Sequence, residues 1–318
     1  MLPDHWHRTE DLGRFLDRAG NFLRSRPALH TVPLTATETL RTRGPHVYGD
    51  LPPVYGTLER DGAVRAAYFQ TPPHRLNLTT LTAEEADSLA AHLEGHGPVP
   101  GVVADRDTAT AVAAAWQART GATSTLHQRQ RLHRLDTLSV PQPVPEGRAR
   151  IAVESDRPQL VKWYGEFSEA IGHPAGEAGS WADARIAYGG VTFWEDPDGT
   201  PVAMAGATPQ IAGQVRVGPV YTPAHLRGRG YAGAVTAEIS RAARDAGADE
   251  VLLFTDLANP ISNRLYQRIG YRPVTDFAVY DFAAYDDSVD DDSVDDDSVD
   301  DDPLDDVSDG SSPDHSAR

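Results

Sequence analysis

The sequence predicts a mixed α/β fold: two successive α/β halves and then a highly charged tail. Three observations carry this. Across the first 285 residues, apolar positions switch repeatedly between the period of two expected of strands and the 3.6 period of helices. The segment Val140-Pro141-Gln142-Pro143-Val144-Pro145-Glu146-Gly147 divides these residues with prolines at alternate positions, a pattern that favours an extended linker. After Tyr285 the pattern collapses into Asp-Asp-Ser-Val-Asp, which recurs at 286, 291 and 296. A chain of 318 residues with a 40% hydrophobic fraction is long enough for two ordinary domains and such a tail. The expected division is a first domain at 1–140, a Pro-rich linker at 141–149, a second domain at 150–285 and a disordered acidic tail at 286–318.

In the first half, Glu10 to Arg24 reads as an amphipathic helix with Leu12, Phe15, Leu16 and Phe22-Leu23 on one face. Val54 to Leu58 and Ala63 to Phe69 read as a hairpin turning at Asp61-Gly62. Thr82 to Leu93 reads as a helix, with Thr82 and Glu85 spaced as a capping box. A strand at Val99 to Ala104, a helix at Asp107 to Thr120 and a strand around Ser124 to Leu138 follow. The second half begins with a strand at Arg150 to Val153 and helices at Pro158 to Ile171 and Glu177 to Ala187. Strands at Val191 to Trp194 and Val202 to Thr208 are joined by the turn Asp196-Pro197-Asp198-Gly199. A strand at Val215 to Thr222, a helix at Gly228 to Ala246, a strand at Val251 to Thr255, a helix at Pro260 to Ile269 and a strand at Phe277 to Phe282 complete it. The order β-α-α-β-β-β-α-β-α-β implies a mixed sheet with helices on its faces.

Composition removes several classes. The net charge of −18 is concentrated in the tail, where residues 286–318 hold fifteen aspartates and one arginine. The body is only mildly acidic, so nucleic acid is not an expected partner. There is no cysteine, which rules out disulfides, thiolate catalysis and cysteine–zinc sites. The tail repeat lacks the glycine and glutamate of a calcium loop, and no metal site is expected. No run of about 18 apolar residues occurs, so no membrane span is expected, and the N-terminus lacks the pattern of a secretory signal. A cytoplasmic protein fits these features. The tail reads as a solvating segment, with loose binding of divalent cations or of a basic partner as the alternative.

The functional signal lies between Val215 and Gly233. An apolar strand runs into Pro223-Ala224-His225-Leu226-Arg227-Gly228-Arg229-Gly230-Tyr231-Ala232-Gly233 and then a helix. Free N–H groups and the helix dipole at such a terminus favour a phosphate, and Arg227 and Arg229 add charge. A Walker loop is excluded because no Gly-Lys-Ser/Thr follows and Lys162 is the only lysine. A dinucleotide fold is disfavoured although Gly228 to Gly233 formally fit G-x-G-x-x-G. Five residues separate strand from loop, and too little chain follows to finish a doubly wound sheet.

Arg227-Gly228-Arg229-Gly230-Tyr231-Ala232 on its strand–helix unit resembles motif A of the GNAT acyl-CoA N-acetyltransferases. Leu253 to Tyr271, with Asn259, Asn263, Tyr266 and Gly270-Tyr271, resembles motif B of that family. The resemblance covers about residues 150–284 and implies a GNAT-like fold, in tandem if the first half is a degenerate copy. It implies acetyl-CoA as co-substrate and an amine acceptor. Backbone groups of Val220, Tyr221 and Thr222 would pair with the pantetheine arm. Arg227, Gly228, Arg229, Gly230, Tyr231, Ala232 and Gly233 would hold the pyrophosphate, and Asn259 and Asn263 the pantetheine. Tyr266 would be the general acid, a phenol that stays neutral at pH 7 and protonates the leaving thiolate.

The base stays open among Glu166, His173, Glu195 and Asp256. The acceptor region expected from the resemblance holds Trp163, Tyr164, Glu166, Phe167 and Trp181, which read equally well as helix core. The first half has no Arg/Gly loop and is expected not to bind acetyl-CoA; completing the acceptor pocket and offering a homodimer face are the roles left for it. A non-catalytic acyl-CoA-binding module is the competing reading of the whole.

Overall fold

In the computed structural model, residues 5–172 and 178–283 are described. The tail repeat, and with it the expectation of disorder there, lies outside them, as does His173. The first half contains β1 (His5–Thr9), α1 (Leu12–Arg24), α2 (Thr31–Arg43), β2 (Val54–Arg60), β3 (Ala63–Gln70), β4 (Leu76–Leu78), α3 (Ala83–Leu93), β5 (Gly101–Asp105), α4 (Arg106–Thr120) and β6 (Thr123–Leu135). The second contains β7 (Arg148–Ile151), α5 (Arg157–Ala170), α6 (Ala178–Ala187), β8 (Val191–Glu195), β9 (Pro201–Ala207), β10 (Gln214–Tyr221), α7 (Tyr231–Asp245), β11 (Glu250–Asp256), α8 (Pro260–Ile269) and β12 (Tyr271–Ala283). Apart from short 3-10 turns, the two halves have the same element order.

All strands join one sheet in the order β1-β2-β3-β4-β5-β12-β6-β11-β10-β9-β8-β7. The halves exchange their last strands. β12 lies antiparallel between β5 and β6, and β6 lies antiparallel between β12 and β11. The core follows this plan. Val215, Val217, Val235, Leu253 and Ile269 form the cluster under α7 and α8. Leu58, Leu76, Leu89, Val102 and Val112 form its counterpart under α3 and α4. On the opposite face, Leu160, Trp163, Phe193 and Met204 pack beneath α5 and α6.

Local signals place most elements. Asp11 caps α1 through the Arg14 amide at 3.0 Å. The hairpin turns at Asp61 and Gly62, both at positive φ. The Thr82–Glu85 capping box closes reciprocally, at 3.2 Å and 2.8 Å. Three elements have no sequence expectation: β1, α2 and the three-residue β4. The linker differs from a free spacer. Pro141 and Pro145 lie against α7, where an added Cβ on Gly233 or Gly230 would meet them at 3.4 Å and 3.6 Å.

Candidate active site

The site begins where β10 leaves β11. The two strands pair in parallel only from Gln214↔Glu250 to Arg216↔Leu252. Beyond Arg216, β10 stays bonded to β9 on its other edge, with a register shift between Val217 and Val220. β11 stays bonded to β6 as far as Asp256. The strands diverge, and one edge of β10 through Val220 and Tyr221, and on to Thr222, has no strand partner among the described residues. An extended ligand arm can add to such an edge. At the end of this wedge the Thr222 hydroxyl is buried and makes no hydrogen bond within the described residues.

The turn after β10 delivers the N-terminus of α7 to the mouth of the wedge. Gly228 (φ 79°) and Gly230 (φ 87°) adopt the left-handed conformation that residues with a Cβ resist. Gly230 is the N-cap and supplies no side chain to close the terminus. No N–H from Gly228 to Gly233 finds an acceptor among the described residues. This row of donors, at the positive end of a helix dipole, has the chemistry that can receive phosphate oxygens. Arg227 is oriented by a 3.1 Å hydrogen bond from its Nε to the Thr222 carbonyl. Arg229 is exposed and reaches only the His225 carbonyl, at 3.5 Å. Tyr231 and Ala232 open the helix. Gly233 has a packing role as well, since a Cβ there would meet Leu265 Cδ1 at 3.1 Å.

The motif B residues divide. Asn259 caps α8 by accepting from the Ser262 amide at 3.0 Å. Asn263 is committed internally. Its Nδ2 donates to the Asp256 and Asn259 carbonyls at 2.9 Å and 2.8 Å, and its Oδ1 accepts from Thr255 at 2.6 Å. It thus fixes α8 to the end of β11, and both its N–H donors are spent. Tyr266 is 9% exposed and packs edge-on to Tyr271, with centroids 6.1 Å apart. It shares the cluster of Val217 and Leu253, the residues just past the fork. Its hydroxyl makes no hydrogen bond among the described residues, and burial pushes its pKa up to about 12. A proton is therefore held there at neutral pH.

On the other face of the sheet, the Tyr221 hydroxyl donates to Glu166 at 2.7 Å. Burial and then that carboxylate push Tyr221 up to about 12. Trp163 lies 6.0 Å from the Tyr221 ring, and Tyr164 stacks on Trp181 at 4.4 Å. Phe167 follows on the same helix. The remaining base candidates are engaged elsewhere. Glu195 is buried between Arg150 and Arg148, and its hydrogen bonds to them hold its pKa below the usual carboxylate value. Asp256 accepts from Gln128 at 3.0 Å and from the Ala258 amide at 2.8 Å. The link between Tyr221 and Glu166 crosses from strand to helix, so only the packed structure reveals it. No cluster of three or more metal-ligating side chains occurs among the described residues, and no helix there is long and apolar enough to cross a membrane.

Residues 157–271, which span the wedge, the cradle and Tyr266, match the family model of the Acetyltransferase (GNAT) family. This segment is a GNAT domain. Solved structures extend the likeness of fold over both halves. A GNAT-family acetyltransferase from Colwellia psychrerythraea is 13% identical, with a TM-score of 0.58 over 88% of this chain and 100% of that one. A GCN5-related N-acetyltransferase from Sphaerobacter thermophilus is 19% identical, with a TM-score of 0.59 over 88% of this chain and 96% of that one. A tandem GNAT protein from the clavulanic acid biosynthesis pathway is 12% identical, with a TM-score of 0.51 over 88% of this chain and 98% of that one. No curated protein sequence matches the chain significantly. The GNAT domain therefore sits in a tandem GNAT fold.

Proposed function

We propose that the protein is an acetyl-CoA-dependent N-acetyltransferase acting on a primary amine. The observation that carries this is the row of unpartnered N–H groups from Gly228 to Gly233 at the mouth of a wedge with one open strand edge. The residues fit coenzyme A: the cradle suits its pyrophosphate, the β10 edge suits the amides of its pantetheine, and the buried Thr222 hydroxyl is free to bond. Acetyl-CoA would supply the activated acetyl group as a thioester. The amine nitrogen forms a bond to the carbonyl carbon, the carbon–sulfur bond breaks, the Tyr266 phenol gives its proton to the departing sulfur, and the proton that the acylated nitrogen sheds restores the phenol. The ammonium proton leaves beforehand, with Glu166, behind Tyr221, as its acceptor. The second half is the catalytic domain in this reading, the first an accessory one, and the cytoplasm the compartment.

Thermal unfolding of the full chain with acetyl-CoA and with CoA tests the donor. A ligand selective for the folded state raises the midpoint, and no shift at millimolar ligand would end this reading. Thiol release with a panel of amines tests catalysis; CoA binding without turnover would favour the non-catalytic module.

A further inference from the structure

A group of arginines lines the seam where the first half covers the second. Val215 and Val217 pack under α7, so the alternating Gln214 and Arg216 face the opposite side of the sheet. There Thr31, at the start of α2, donates to Gln214 Oε1 at 2.9 Å and accepts from Arg216 Nη1 at 3.2 Å. Gln214 is wholly buried, and its Nε2 has no hydrogen-bond partner within the described residues. Arg185 on α6 donates to the Tyr188 hydroxyl and the Ala207 carbonyl. Arg43, at the end of α2, holds Ser180 Oγ at 2.7 Å.

Among the described residues, none of Arg43, Arg185 and Arg216 has a carboxylate within ion-pairing distance. Asp183, whose pKa is sensitive to Arg43, gives both oxygens to Arg157. Desolvation pulls Arg216 down to about 10, and Arg185 adds to the effect. Burial raises the Tyr188 pKa, and all three arginines oppose that rise, so all three lie near its phenol. Arg216 is the desolvated member of the group, and a desolvated cation with no carboxylate in reach among the described residues is costly and marks a place where an anion would be received.

This group is continuous with the Glu166–Tyr221 wall. Arg185 lies 5.7 Å over the Trp181 ring, Trp181 stacks on Tyr164, and Trp163 meets Tyr221. Arg216 is also the last β10 residue paired to β11, so it stands at the apex of the wedge. We infer that the acceptor is a small amine carrying a second, anionic group, a carboxylate or a phosphate, that Arg216 and Arg185 receive at the seam of α2, α6 and β10. The amine then faces the Glu166 end of the same wall. Guanidinium groups suit either anion through paired N–H donors. This inference rests on the acetyltransferase reading above.

The test uses the full chain and its Arg216→Gln, Arg216→Lys and Arg185→Gln variants. Calorimetric titration with CoA checks the underlying reading, and the three substitutions leave that affinity unchanged. Titration with amino acids, their carboxamides and 2-aminoethyl phosphate needs no acetyl donor, and it separates carboxylate from phosphate recognition. Expected are binding of at least one anionic amine, at least tenfold weaker binding in Arg216→Gln, and no such loss for the carboxamides. Acetyl-transfer kcat/KM should fall at least tenfold for anionic amines and stay within threefold for neutral ones. If Arg216→Gln fails to fold, Arg216→Lys and Arg185→Gln read the same discrimination. Equal use of neutral and anionic amines by the native chain overturns the inference. So does a preference that survives every substitution. Failure to bind CoA strikes the acetyltransferase reading instead.

Discussion

α3 and α7 occupy equivalent places in the two halves, each following the strand that starts to leave its neighbour, yet their N-termini have opposite chemistry. α7 opens on glycines at positive φ with no side-chain cap and a row of unused donors. α3 opens on Thr82, whose hydroxyl takes the Glu85 amide while the Glu85 carboxylate takes the Thr82 amide. Glu84 and Glu85 place negative charge where an anion would have to sit. The gap beside it is bridged as well: the Thr108 hydroxyl accepts from the Leu81 amide at 2.9 Å. A third difference lies at the seventh helical position after the next strand, which is Tyr266 in α8 and buried Val112 in α4. One scaffold thus appears twice, once with an uncapped helix terminus and a buried phenol beside the fork, once sealed by its own side chains.

The largest expected effect removes the phenol that distinguishes α8 from α4 and that the proposed reaction uses as its proton donor. Tyr266→Phe should lower turnover by about 10²–10⁴-fold while calorimetry shows an unchanged CoA affinity; retained turnover would strip Tyr266 of its role. Closing the cradle comes next. Gly230→Val places a β-branched residue at φ 87°, and should weaken CoA binding by about 10–100-fold, the equivalent of about 1–3 kcal/mol of backbone strain. The matching change in the sealed half, Thr82→Ala, should cost about 1 kcal/mol in chemical denaturation and leave CoA affinity untouched. A loss of CoA binding there would mean that the first half takes part in holding the donor.

The smallest effect separates the halves by pH. In the first half, burial lowers the pKa of His30, and that of His92 to about 4. Unfolding lets these imidazoles take up protons near pH 6.5, so their contribution is complete above that value and fades as pH falls toward the folded pKa values. In the second half, Arg150 holds Asp156 and Glu195 below the carboxylate range, so stability there fades only at lower pH. Hydrogen exchange between pH 6.5 and 4.5 should therefore loosen the first half before the second, and uniform protection across that interval would contradict this ordering.

The cradle, α8 and the capping box were legible because each is written in adjacent residues whose chemistry is local. α2 was not. Threonines and Pro33 disfavour a helix, but its threonine hydroxyls bond back to carbonyls one turn earlier, Thr35 to Thr31 at 2.8 Å and Thr37 to Pro33 at 2.7 Å. Buried Leu34 and Leu40 then hold it on the sheet. β1 has almost no apolar alternation and gains its structure by pairing with β2 at the sheet edge. The commitment of Asn263 and the pairing of Tyr221 with Glu166 join residues on different elements, and local pattern does not encode such contacts. The arginines at the seam look like scattered surface charge in one dimension and converge only because α2 of one half lies over β10 of the other.

The strand exchange has a consequence for the chain's continuity. β12 is held on both sides by strands of the first half, and β6 on both sides by strands of the second. The halves are clasped like the subunits of a swapped dimer whose ends have been spliced, so the peptide bonds between β6 and β7 are mechanically redundant. A nick there would leave two fragments still locked in one sheet, whereas deleting either half would strip the survivor of a neighbour for its last strand. The Pro-rich stretch is a suture over a joint that already holds.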